Sequence, residues 1–378
     1  MADTPWQSAA RHCGESHAVN ANGMFLAATD RLGSCLWTIG LRRPVRSGRD
    51  PRLVYYHGIG DGQSPCFRFL RDETPRDVFE SHLDYLLAHY RILPLQEAVE
   101  EMFSSTATTD PPVCSISFDD GLRSVYTEAL PALRERGLPA TVFLNTATVG
   151  NNTLTWVHLV SYLLAEFGAQ TVTELFNRLA AEHVTDASCG EPEILAWCRA
   201  NFESNLKTRL LDRVLEELGL SLGEIAREQR TYLEWDQITS MKQHGITFCS
   251  HTRSHAPLGR LTQEWQVREE IEDAYEVLKS RGENLDFVSF PFGMRVDYGD
   301  VAVRCALACG HAYALEVGNG INKLERVAET KLLARVPLGN IGSKGAQLYS
   351  AIEVRPTLKS AIKNWLPSQR TSAPQQPG

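Results

Sequence analysis

The chain has no excess of positive charge. Its 378 residues carry 38 Lys and Arg against 46 Asp and Glu, a formal net charge of −8. No basic field gathers phosphates, which argues against nucleic acid as a partner. Paired cysteine motifs are also missing. The nine cysteines are an odd number, none stands in a Cys-x-x-Cys spacing, and Cys114 and Cys249 lie inside apolar runs that read as buried strands. This is the thiol usage of a reducing compartment rather than a disulfide framework. Cys305 and Cys309, four apart on an expected helix, read as packing first and as metal or redox chemistry second. The start of the chain lacks a basic segment followed by an apolar run, so no signal peptide is expected, and a cytoplasmic location is. The most apolar early stretch, Met24 to Leu41, is interrupted by Asp30 and Arg31 and is too broken for a membrane span. There is no internal repeat.

What is present is globular. Hydrophobic residues make up 43% and charged residues 22%, enough for one large α/β domain or two ordinary ones. Residues 1–50 show no clear period and read as an arm or cap. Just after the Met24–Leu41 stretch come Arg42, Arg43, Arg46, Arg49 and Arg52. They read as a solvated basic loop, with anionic lipid or an anionic substrate as the alternative contact. From Leu53 onward, apolar runs alternate with amphipathic helical patterns, the signature of βα units with parallel strands. The expected strands are Leu53–Tyr56, Val113–Phe118, Ala140–Leu144, Ile246–Cys249, Asp286–Phe290, Ala312–Leu315 and Leu332–Val336. About 80 residues, 151–233, interrupt this rhythm with helical spacing. They are expected to form a helical insertion, either as added core or as a wall over the strand ends. The tail 367–378 is expected to be disordered.

Four polar groups stand at the ends of expected strands: Asp119 and Asp120; His251 with His255 four residues on; His57; and Pro291 with Gly293. Parallel strands bring all these ends to one face, which carries the site in barrels and open α/β sheets. Adjacent residues at a strand end point to opposite sides. One aspartate of Asp119-Asp120-Gly121 can therefore bind a metal while the other faces substrate, and Gly121 permits a tight turn. By itself Asp-Asp-Gly is ordinarily a turn. In His251-Thr252-Arg253-Ser254-His255, Thr252 stands where a zincin has its glutamate, so that motif is excluded. One Asp and two His make a three-ligand site with open positions for water and substrate, which suits hydrolysis better than structural zinc. His158, His311, Trp156, Tyr232, Trp235, Asn319 and Asn322 read first as packing, capping or turn residues.

Ser117-Phe118-Asp119-Asp120-Gly121 resembles the first motif of the polysaccharide deacetylases (carbohydrate esterase family 4, the nodulation-type deacetylase domain). His251-Thr252-Arg253-Ser254-His255 is similar to their second motif, and Phe290-Pro291-Phe292-Gly293 resembles the third. The resemblance spans roughly residues 50–340. It implies a distorted (β/α) barrel of seven strands over residues 51–366, carrying the helical insertion. It implies Asp120, His251 and His255 as metal ligands and Asp119 as general base. Zinc is the first candidate metal, with cobalt or nickel as alternatives. The family's late Leu-x-His motif, source of the acid that protonates the leaving amine, is missing. Instead, Val54-Tyr55-Tyr56-His57-Gly58-Ile59 resembles the early motif of a permuted branch that includes poly-N-acetylglucosamine deacetylases. This implies His57 as acid, against the alternative of a structural histidine. Many members also carry an arginine where this chain has Ser289, and Arg295 or Arg335 is expected to replace it. Pro291, Phe292, Gly293 and Arg295 are the substrate-binding candidates.

The activity so implied is removal of an N-acetyl group from an acetamido sugar or glycan intermediate. The expected location favours a lipid-linked or nucleotide-linked sugar, or a small molecule, over a secreted polymer. No nucleic acid and no membrane span are expected. Two other readings stand beside it. One is hydrolysis of a non-sugar or non-acetyl amide. The other is a catalytically silent carbohydrate-binding or scaffold protein.

Overall fold

The seven apolar runs become seven strands buried along most of their length. In a computed structural model that describes residues 16–40, 50–70, 72–104, 110–181, 194–200, 206–318 and 320–365, the strands are β1 (Arg52–Tyr56), β2 (Val113–Phe118), β3 (Ala140–Leu144), β4 (Ile246–Ser250), β5 (Phe287–Ser289), β6 (Tyr313–Val317) and β7 (Leu332–Pro337). Each pairs in parallel with the next. β1 then joins both ends of the series, with Tyr56 opposite Phe118 of β2 and Val54 opposite Val336 of β7. The result is a closed seven-stranded parallel barrel wrapped by helices, as expected.

Alternation along the strands sorts the core. Leu53, Phe143, Cys249, Phe287, Leu315 and Leu333 form one buried cluster, closed by Leu95, Val99 and Met102. The next residues along, such as Val54, Ile116, Val142 and Phe248, belong to the cluster shared with the helices. A period of two puts these sets on opposite faces of the barrel wall.

In chain order the helices include α1 (Ser16–Thr38), α2 (Arg76–His89), α3 (Leu95–Phe103) and α4 (Leu130–Glu135). The interruption of the βα rhythm is helical: α5 (Trp156–Phe167), α6 (Ala169–Ala181), α7 (Ile194–Ala200), α8 (Leu206–Glu217) and α9 (Leu222–Gln229). Then follow α10 (Trp235–Lys242), α11 (Glu264–Ser280), α12 (Arg295–Cys309), α13 (Leu324–Thr330), α14 (Gly345–Tyr349) and α15 (Arg355–Trp365). The apolar trio that plugs the amino end of the barrel comes from α3. Cys305 of α12 is buried in a cluster shared with α11 and the barrel strands. No helix among the described residues is long and apolar enough to cross a membrane.

One expectation needs correction, and the amino-terminal segment takes a definite form. Within it, Ser16–Thr38 is a single helix. Its contacts combine small and polar groups with the aromatic Trp37, whose ring lies 5.8 Å from Tyr85 and 6.1 Å from Tyr349 between centroids. Ser350 donates to the Thr29 carbonyl at 3.1 Å and to Asp30 at 2.8 Å, and a Cβ on Gly33 would meet Ser350 Cβ at 2.7 Å. Arg52 is not part of a solvated basic loop. It opens β1, fully buried, and its Nε donates to Glu353 at 2.8 Å while Tyr90 donates to the same carboxylate at 3.0 Å. Arg42, Arg43, Arg46 and Arg49, with Cys13, Cys189, Asn319 and the tail 367–378, lie outside the described residues.

Removing one partner of a buried ion pair strands the other. Glu353→Ala should therefore destabilise the fold by about 3–5 kcal/mol. Urea unfolding followed by tryptophan fluorescence measures this, and an unchanged midpoint would show that the pair does not hold the first strand in place.

Candidate active site

The polar strand ends do meet. His57 follows β1, Asp119 and Asp120 follow β2, and His251 follows β4, so all lie at the carboxyl end of the barrel. They line one cavity of about 520 Å³ together with His255, Phe292, Asp72 and Arg199.

Asp120 takes the left-handed backbone conformation (φ 70°), as do Thr252, His255 and Phe292. Non-glycine residues adopt it at a cost of about 1–3 kcal/mol, and such strain clusters at functional sites. Here the turns point three potential ligands at one spot. Asp120 Oδ1 lies 3.4 Å from His251 Nε2 and 3.3 Å from His255 Nε2. One donor atom from each residue lies within 4.8 Å of the other two, and all three residues are buried.

The donor set fits a divalent cation. Burial pushes His251 down to about 4 and His255 to about 3, despite the nearby aspartates. Both rings are thus neutral near pH 7, as metal ligation requires. His251 Nδ1 lies 2.8 Å from the Ser289 carbonyl, so this nitrogen donates and Nε2 keeps its lone pair toward Asp120. Asp120 Oδ1 is buried without a hydrogen-bond partner. Burial raises its carboxyl above the ordinary value, against the attraction of His251 and His57. A carboxylate facing two neutral imidazoles lacks the positive charge that a bound cation supplies.

Asp119 stands in a different environment. Arg335 Nη1 donates to its Oδ1 at 2.8 Å, and Nη2 donates to Oδ2 at 2.7 Å. The pair is buried, with Arg335 1% and Asp119 5% exposed. Ser117 accepts from Nη1 at 3.2 Å and Ser289 from Nη2 at 2.6 Å. The guanidinium also stacks 4.4 Å over the Tyr55 ring. Burial alone would raise the Asp119 carboxyl, but Arg335 and His251 hold it down at about 2. Two carboxylates adjacent in sequence are therefore driven in opposite directions.

Of the two arginines weighed as replacements at the Ser289 position, Arg335 is the one at the site. Ser289 is small enough to leave it room and accepts one of its hydrogen bonds. Arg295 is corrected: it is 60% exposed, pairs with Asp300 and does not line the cavity. Its place at the start of α12, beyond the turn, directs it to solvent. Pro291 and Gly293 do not line the cavity either. Gly293 (φ 68°) fits because a Cβ there would meet Val317 N at 2.7 Å. Phe292 does line it, with its ring edge-on to His255 at 4.8 Å between centroids.

Sequence reasoning passed over Asp72, Leu195 and Arg199, and kept Trp156 as packing. Asp72 lies beside His57 because the Gly58 N–H donates to its carbonyl at 2.8 Å. Burial disfavours the charged form of His57, yet Asp72, Asp120 and Asp119 outweigh it and lift its pKa above the ordinary value. Trp156 of α5 and Leu195 and Arg199 of α7 carry the insertion into the cavity wall. Arg199 Nε donates to Asp297 at 3.1 Å, and its guanidinium lies 4.5 Å over the Phe292 ring. His158 is buried, 2.6 Å from the Tyr232 hydroxyl, and pushed down to about 3 by burial. His311 bonds the Leu285 carbonyl, and Trp235 carries Arg281 over its ring.

The model of the polysaccharide deacetylase family matches residues 106–314. The chain belongs to that family. The Bacillus subtilis protein YxkH is 31% identical over 100 residues, which are 26% of this chain and 33% of that relative. The match thus spans about a third of the relative's length. Among solved structures, the Streptococcus pyogenes deacetylase PplD in complex with acetate superposes with a TM-score of 0.52 at 17% identity, covering 82% of this chain and 99% of that one. A likeness at that identity is one of fold. IcaB from Ammonifex degensii gives a TM-score of 0.49 at 16% identity, over 81% of this chain and 98% of its own.

The geometry predicts one divalent cation per chain. Titration of the metal-stripped protein with cobalt, read by visible absorbance, should saturate at one equivalent. His255→Ala, which removes one of three ligands, should weaken that binding by at least about 10–100-fold. Equal affinity in the variant would exclude His255 as a ligand.

Proposed function

We propose that this protein is a metal-dependent hydrolase that removes an N-acetyl group from an acetamido sugar or glycan intermediate. The observation that carries the proposal is the buried Asp120–His251–His255 group beside a second carboxylate held ionised by Arg335. Three nitrogen and oxygen donors with coordination left open suit zinc, with cobalt or nickel as substitutes.

Asp120, His251 and His255 would hold the ion. A divalent ion bound there supplies Lewis acidity toward water and toward the acyl oxygen. Asp119, ionised at any working pH, accepts the proton of the attacking water. Arg335 fixes both its oxygens, so the base is aimed without losing its charge. His57 keeps its proton to a higher pH than an ordinary histidine and donates it to the departing nitrogen, which leaves poorly as an anion. Phe292 and Trp156 offer apolar faces against the acyl group and the sugar ring. Acetate and a free amine are the products. The insertion walls one side of the cavity, and we take the acceptor to be a small, lipid-linked or nucleotide-linked sugar rather than a long polymer.

Acetate release from a panel of acetamido sugars, nucleotide sugars and short acetylated oligomers tests this. Release should require added zinc and fall to background in Asp119→Asn. His57→Ala should lower kcat by about 10²–10⁴-fold, the usual span for one acid–base group. If a zinc-loaded protein released acetate from none of them, the result would favour an amide outside the acetamido sugars as its substrate.

The pH profile carries a further expectation. An acid must be protonated to act, so activity falls as pH rises through the His57 pKa. Asp72 is the strongest of the groups that raise that pKa. Asp72→Asn should therefore shift the basic limb of kcat/KM to lower pH and leave the acidic limb in place. An unmoved basic limb would remove His57 as the titrating acid.

A further inference from the structure

Asp120 and His255 both hold unfavourable backbone conformations, so something outside their own loops must keep them there. The insertion does so from one helical turn. Directly after Asp120, residues 121–123 are zipped antiparallel to residues 231–233. Leu122 bridges Tyr232, the Leu233 N–H donates to the Gly121 carbonyl at 2.9 Å, and the Arg123 N–H donates to the Thr231 carbonyl at 2.9 Å.

Tyr232 is fully buried and bonded at every polar atom. Asn151 takes both backbone groups, accepting from the Tyr232 N–H at 2.8 Å and donating to its carbonyl at 2.9 Å. The hydroxyl accepts from the Thr155 N–H at 2.9 Å and lies 2.6 Å from His158 Nδ1. Thr155 is the residue that caps α5, and His158 is in its first turn.

The same turn reaches the other ligand. The Trp156 indole Nε1–H donates to the carbonyl of His255 at 3.3 Å. The Trp156 ring packs 6.0 Å from Phe292, whose edge-on contact holds the His255 ring. Thr155, Trp156 and His158 thus tie together two loops that come from different strands.

We propose that the first turn of α5, with Tyr232, is a positioning element for the metal centre. Trp156 fixes His255, and the Thr155–Tyr232–His158 cluster fixes the Asp120 turn. This rests on the metal site proposed above. It assigns the insertion a role in cation affinity beyond forming a cavity wall. Trp156 and Tyr232 are positioning residues in this scheme, because each acts through a ligand rather than on the ion.

The test uses the full chain with zinc, without substrate. Trp156→Phe keeps an aromatic ring and loses the indole donor; Tyr232→Phe keeps the ring and loses the hydroxyl. Each should weaken zinc binding by about 10–100-fold in competition with a chelator, the usual cost of losing a group that orients a ligand. Each should also shrink the rise in Tm on adding zinc by more than it lowers the Tm of the metal-free protein. A purely structural role would lower the metal-free Tm and leave zinc affinity unchanged, which would overturn the inference. Should one variant fail to fold, the other still decides the outcome. A wild-type chain that bound no zinc would overturn the metal site and this inference together. Wild-type binding matched by both variants would overturn the inference alone.

Discussion

A bidentate ion pair inside the barrel is the constraint on which the site depends. Arg335 and Asp119 are both buried at its carboxyl end, where water cannot repay the loss of hydration. Burying two charges is unfavourable unless every donor and acceptor is met. Here Ser117 and Ser289 accept further hydrogens from Nη1 and Nη2, Tyr55 and Phe143 cover the guanidinium faces, and Nε is buried without a hydrogen-bond partner. Below this polar layer the inward positions are mostly apolar, and α3 packs against them. The barrel interior is therefore a largely hydrophobic core with one charged layer on top. That layer fixes Asp119 and leaves its neighbour Asp120 to face outward into the cavity.

The adjacency of the two aspartates explains how one dipeptide serves two purposes. At a strand end successive side chains diverge. The inner one, Asp119, meets the arginine and stays ionised. The outer one, Asp120, meets two neutral imidazoles and is left short of positive charge. Their opposite shifts come from these surroundings and not from any difference in residue type. Pairs of like groups driven apart by environment are the mark by which acid–base and ligand roles are distinguished.

The strands were legible because they are buried along most of their length and so appear as apolar runs between helical patterns. Asp119, Asp120, His251 and His255 were legible because their spacing puts them just past strand ends. Arg335 was harder. It sits inside Leu332-Leu333-Ala334-Arg335-Val336, where only the register with β1 and β6 turns it inward, and sequence alone left it level with Arg295. Asp72 was hidden because a two-residue ladder, Gly58–Ile59 against Glu73–Thr74, brings it to His57. Trp156 and Arg199 depend on how the insertion folds over the rim, which no local period encodes. Helix α1 escaped because it packs through Thr29, Gly33 and Trp37 without an apolar stripe.

A closed barrel has no first strand, and this bears on His57. The family's late motif would place its histidine at the end of the last strand. In this chain the last strand is β7, and β1 lies directly beside it with Tyr55 opposite Pro337. A side chain just past the end of β1 therefore occupies the rim next to the one just past the end of β7. Moving a histidine from the last strand to the first changes its place in the sequence by most of the chain, yet its place on the rim by one strand spacing, about 5 Å. The same closure sets β1 against β2, whose end carries Asp119 and Asp120. His57 thus stands between the strand that brings Arg335 and the strand that brings the two aspartates. From there its charge is coupled to all three groups. In the mechanism proposed above, the topology thus lets His57 take the place of the missing late motif from the other end of the chain.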